Sequence, residues 1–131
     1  MSPIIRDAQL SALRKVQIRR FEAWVESHLQ RHFPEACEAA GEAQVRGDIR
    51  HGIARAGAYG ITAERQVCQY IDLMFVLGRD FDMDPSLPWA GEILREESGI
   101  SERERIRLLY VRAMEHLGEA DRKLPPEAEH G

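Results

Sequence analysis

The stretch TAERQVCQYIDLMFVLG, residues 62–78, decides the fold. Val67, Tyr70, Ile71, Met74, Phe75, Val76 and Leu77 recur at helical spacing, and no strand alternation competes. Thr62 offers a hydroxyl for the N-cap, and Gly78 can take the left-handed conformation that ends a helix. This is the most apolar segment of the chain, so a helix over 63–77 belongs at the centre of the molecule, with Phe75 inside it.

A helix this apolar must be covered by others, and the flanking sequence provides them. Upstream, Leu10, Leu13, Val16, Phe21, Trp24, Val25 and Leu29 mark a first helix over about 7–32, with Asp7 as N-cap and Pro34 as its stop. Pro34 also suits the first position of a short alanine-rich helix ending at Gly41. A third helix over 42–58 carries Val45, Ile49, Ile53 and Ala56 on one side. Gly47, Gly52 and Gly57 lie inside it, each costing up to about 1 kcal/mol against alanine, which points to close helix contact. Gly60 is placed to terminate it.

Downstream, residues 79–88 form a structured loop, and Pro88-Trp89 opens a fifth helix that closes at Ser98-Gly99. Trp89 is expected to fold the loop back onto the central helix. Ser101 and Glu104 read as a capping box for a last helix over 102–117, with Ile106, Leu109, Tyr110, Ala113, Met114 and Leu117 on its inner face. The expected fold is all-α: a single globular domain of about six helices over residues 1–118, an irregular, partly orthogonal bundle. A polar tail over 119–131, holding Pro125-Pro126, reads as disordered.

The chain has 131 residues, 44% hydrophobic and 31% charged, enough to bury a core without disulfides or metal. Its formal charge of −4 is uneven: +3 over residues 1–33, −1 over 34–60 and −6 over 61–131. An acidic back half argues against a general nucleic-acid binder, which needs clustered cations. Two cysteines, Cys37 and Cys68, do not make a secreted disulfide framework, and neither has a CxxC partner. The N-terminus has no signal-like apolar run, and Leu73–Leu77 is too short to cross a bilayer. A reduced, cytoplasmic, bacterial protein is expected, with arginine in sixteen of its eighteen basic positions as in GC-rich genomes.

Chemistry-bearing motifs are sparse. His28 and His32 are four apart and can share a helix face, but no third ligand stands near and the glutamate of an HExxH protease is missing, so they read as surface histidines. Asp80, Asp82 and Asp84 alternate like the start of a calcium loop. Pro85 occupies the glycine position of such a loop and Gly91 its bidentate glutamate position, so the acids read as turn caps or as a rim for a partner's arginines. A helix-turn-helix over 56–67 is rejected because the second helix is too apolar to read DNA. The sequence has no GxSxG and no phosphate-binding glycine loop, and nothing brings Cys37 or Cys68 to His51. Trp24 and Trp89 read first as core. No catalytic residue, metal or cofactor is expected.

One block is denser than the rest: Tyr59-Gly60-Ile61-Thr62, Glu64-Arg65, Tyr70 to Phe75, Gly78, Asp80-Phe81-Asp82-Met83-Asp84-Pro85, and Leu87-Pro88-Trp89-Ala90, preceded by His32-Phe33-Pro34. Over residues 32–97 it resembles a pattern of small bacterial proteins encoded in type VI secretion and related effector cassettes, departing from it at Gln66 and Arg79. The resemblance implies an accessory role near an effector and brings no catalytic residue. The expected function is a non-enzymatic adaptor or chaperone-like protein. It would touch an effector or toxin of the same cassette through Arg79, Asp80, Asp82 and Asp84, and would bind neither nucleic acid nor membrane. The alternatives are a cytoplasmic immunity protein that blocks a basic toxin and, ranked lowest, a small metal-dependent enzyme. All of this rests on the stripe over 67–77 lying inside the bundle.

Overall fold

The computed structural model describes residues 3–96 and 99–118, with side chains from Arg14 onward. It contains six α-helices and one 3-10 turn: α1 (Pro3–His32), α2 (Pro34–Ala40), α3 (Glu42–Ala58), α4 (Glu64–Leu77), the turn Phe81–Met83, α5 (Pro88–Leu94) and α6 (Glu102–Leu117). The fold is an all-α bundle with no strand among the described residues. Among the described residues no helix is long and apolar enough to cross a membrane. The expected tail over 119–131 and Ser98 lie outside the described residues.

The central helix is α4, as its sequence requires. Every residue from Gln66 to Met74 is buried, polar ones included, because α1, α3, α6 and the 3-10 turn enclose it. One core joins Val25 and Leu29 of α1, Ile49 of α3, Ile71 and Leu73 of α4, Leu94 of α5 and Ile106 and Leu109 of α6. Phe75, Val76 and Leu77 are only half-buried, because α4 emerges from its neighbours over its last turn. Phe75 rests against Phe33, with ring centroids 5.5 Å apart.

Among the glycines of α3, Gly52 alone marks close contact: a Cβ there would lie 2.6 Å from Cγ1 of Ile71 and 2.8 Å from Sδ of Met74. Gly47 and Gly57 have nothing within 4 Å, so their cost is not explained by packing. Gly60, at φ +78°, follows the end of α3. The Ile61 amide donates to the Ala56 carbonyl and the Gly60 amide to the Gly57 carbonyl, a Schellman closure. Gly78 ends α4 at φ +121°.

Several ends differ from expectation. Helix α1 already begins at Pro3, so Asp7 lies within it rather than capping it. Thr62 is not the cap of α4. The cap position is Ala63, whose own amide donates to Glu102 Oε1 over 2.8 Å, so the start of α4 is tied to a side chain of α6. Helix α5 stops at Leu94, short of Ser98-Gly99. The capping box of α6 is half formed: Ser101 Oγ accepts from the Glu104 amide, while the Glu104 carboxylate turns to Arg107.

The tryptophans are not core. Trp24 is 46% exposed, and Val16 and Ile18 are similarly open. At about 1.5 Å per residue α1 is roughly 45 Å long, and residues 14–20 are exposed along it. Trp89 is half-buried and meets α6, its ring 5.6 Å from the Arg112 guanidinium. The loop is plugged onto α4 by Phe81 instead, whose ring lies 5.0 Å from that of Tyr70.

Candidate functional site

Two buried polar clusters flank α4, and the acidic turn sits over one of them. The first joins α1 to α4. His28 is 1% exposed and Asp72 is fully buried, and His28 Nε2 donates to Asp72 Oδ1 at 2.8 Å, with Oδ2 at 3.1 Å. His28 is therefore no surface residue. Its ring stacks on Trp24 at 5.7 Å and approaches that of the half-buried His32 at 4.6 Å. Cys68, one turn before Asp72, completes a buried group whose ligand atoms lie within 4.8 Å of one another. Burial, reinforced by the Asp72 charge, pushes the Cys68 thiol well above its ordinary range. A thiol held protonated in this way is a poor nucleophile at neutral pH.

The second cluster fastens the acidic turn to α3. Asp82, 2% exposed, points inward. Its Oδ2 accepts from Arg55 Nε at 2.9 Å, from Arg55 Nη2, and from the Tyr59 hydroxyl at 2.7 Å. Arg55 and Tyr59 stand one helical turn apart, so both reach the same oxygen. The Asp82 hydrogen bond holds the Arg55 guanidinium even more firmly protonated than usual, and burial followed by that carboxylate raises Tyr59. Asp82 Oδ1 and the Tyr70 hydroxyl are buried beside this network without a well-formed hydrogen bond, the hydroxyl meeting only a weak interaction with Arg55. Burial and the Asp82 charge push the Tyr70 hydroxyl far up.

These contacts divide the four residues expected to meet a partner. Asp82 is removed from the set, because its carboxylate is committed to Arg55 and Tyr59 inside the protein. Asp84 accepts from the Ser86 amide at 2.9 Å and hydroxyl at 2.7 Å, which lowers its carboxyl and makes it the expected turn cap. Arg79 and Asp80 face outward. Asp80 keeps 67% of its side chain exposed while meeting His51 Nε2 at 3.1 Å, and Arg79 lies 3.5 Å from Asp48. Met83, overlooked in the sequence, is 66% exposed at the crest of the same turn.

Arg105 of α6 was also not singled out by its spacing. Its Nη1 donates to the carbonyls of Tyr59 at 2.7 Å and Leu94 at 2.8 Å, tying the C-terminal ends of α3 and α5 together. The block from Tyr59 to Ala90 is thus one interlocked unit of turn, helix and acidic loop. No protein-family model matches this chain, nor does a curated protein or a solved structure.

Proposed function

We propose that this protein is a non-enzymatic accessory protein that binds another protein, an adaptor or chaperone for an effector of a type VI secretion cassette. The observation that supports this is the acidic turn: Asp82 anchors it from beneath while Arg79, Asp80 and Met83 face outward. A surface held in one shape loses little conformational entropy on binding, which favours recognition by touch.

Co-purification from the native cell tests the proposal. Asp80→Arg combined with Met83→Glu leaves the helical circular dichroism unchanged and removes the co-purifying effector. Retention of the same partner by the double variant overturns the role given to this surface. Survival of cells expressing a cassette toxin together with this protein, against death without it, identifies an immunity protein instead. The negative charge over residues 61–131 makes that the second reading, because it suits electrostatic attraction to a basic toxin.

A further inference from the structure

His28 and His32 on α1, and Cys68 and Asp72 on α4, are two pairs at helical i, i+4 spacing on adjoining helices. Such pairs on facing helices are how helical proteins assemble metal sites in their interiors. Three of the four meet: the ligand atoms of His28, Cys68 and Asp72 lie within 4.8 Å of one another, and all three residues are buried. Ligand atoms around a tetrahedral zinc ion stand about 3.3–3.7 Å apart, given bonds of roughly 2.0–2.3 Å. His28 Nε2 and Asp72 Oδ1 are already closer than that, at 2.8 Å, so small side-chain rotations would admit an ion.

We propose that His28, Cys68 and Asp72 bind one divalent cation of the zinc class in a buried three-residue site at the α1–α4 contact. Imidazole, thiolate and carboxylate together match zinc, and the thiolate excludes magnesium and calcium. The charges also fit. One thiolate and one carboxylate neutralise a dication, so the buried complex carries no net charge, which a site excluded from bulk water requires. His32, with its ring 4.6 Å from that of His28, lies outside the group whose ligand atoms converge, so a water completes the fourth position. On binding, the Cys68 thiol proton leaves to solvent and His28 carries its proton on Nδ1, so uptake weakens as the pH falls. The site joins α1 to the central helix and gives a buried His–Cys–Asp set a purpose that packing alone does not.

Cobalt(II) tests it directly. The full chain, freed of metal by chelation under reducing conditions and still folded by circular dichroism, takes up one equivalent. It then shows a thiolate-to-cobalt charge-transfer band and the intense visible bands of a four-coordinate ion. Zinc bleaches both and raises the melting temperature. Cys68→Ser loses the charge-transfer band, and Cys37→Ser keeps it. A folded chain that shows no thiolate band with cobalt overturns the proposal, and so does a band that follows Cys37 rather than Cys68. Neither outcome bears on effector binding by the acidic turn.

Discussion

The Tyr59 hydroxyl donates to Oδ2 of Asp82 across 2.7 Å, and this contact pins the acidic turn to the last turn of α3. Arg55 shares the same oxygen, so a single carboxylate organises two helical residues beneath the loop. The Tyr70 hydroxyl lies beside this network but makes no well-formed hydrogen bond, only a weak interaction with Arg55. Half-buried Tyr59 and fully buried Tyr70 therefore differ in what their hydroxyls contribute.

Tyr59→Phe should destabilise the protein by about 1–2 kcal/mol, because it removes a hydrogen bond to a buried charge. Tyr70→Phe should be neutral or stabilising, within about 1 kcal/mol, because it deletes a desolvated hydroxyl and leaves the ring on Phe81. Urea denaturation of both variants measures the contrast. A larger loss in Tyr70→Phe than in Tyr59→Phe would reverse the roles given to the two groups.

The glycines of α3 give a second contrast. Gly52→Ala places a methyl 2.6 Å from Ile71 and forces α3 and α4 apart, at a cost of about 1–3 kcal/mol. Gly47→Ala meets nothing within 4 Å in the same helix and should stabilise by about 0.5–1 kcal/mol. Opposite signs in the shift of the melting temperature are the expected result.

What the sequence made legible was local. Helical spacing located α4, and Gly41, Gly60 and Gly78 marked helix ends where their positive φ is needed. Its misreadings arose where tertiary contacts replaced local partners. Glu102 from α6 ties down the start of α4, which no spacing within residues 62–66 reveals. Asp80, Asp82 and Asp84 look like one surface only if residues two apart point the same way, as on a strand. In a 3-10 turn, with three residues per turn, they diverge, and Asp82 turns inward. The buried His28–Asp72 pair did leave a signal. Asp72 interrupts the most apolar run of the chain, where an acid cannot reach water and must find a partner, and His28 sits beside Val25 and Leu29 on the inward face of α1.

Arg105 carries a third prediction. One guanidinium nitrogen serves two carbonyls, those of Tyr59 and Leu94, where α3 and α5 end and their own amides cannot reach. Arg105→Gln should cost about 2 kcal/mol, and Arg105→Lys less, because a flexible ammonium keeps the charge but not the planar fork. Hydrogen exchange should quicken at the ends of both helices together. Faster exchange at only one end would show that the two are not joined through this residue.

The last prediction concerns pH in the metal-free chain. Burial raises the Cys68 thiol above its ordinary value of 9.0 and the Tyr70 hydroxyl above 10.0. A group whose value rises on folding holds its proton longer in the native state than in the unfolded chain. Its contribution is therefore fully present below the unfolded value and is lost as the pH climbs toward the folded one. Stability should be level from neutrality to about pH 9, then fall by up to about 1.4 kcal/mol per pH unit for Cys68, and more steeply above about pH 10 as Tyr70 and Tyr59 join. Asp84 and Glu104 are lowered and act with the opposite sign, contributing above 3.8 and 4.5 and losing that contribution in acid, but both face solvent and weigh little. Urea midpoints measured across the alkaline range test the profile. Cys68→Ala, compared with the parent chain, should make the decline between about pH 9 and pH 10 shallower, leaving the contribution of the less buried Cys37, which burial and the Glu26 charge also raise, whereas a parent chain whose midpoint stays level to about pH 10.5 would show that neither group is held as described.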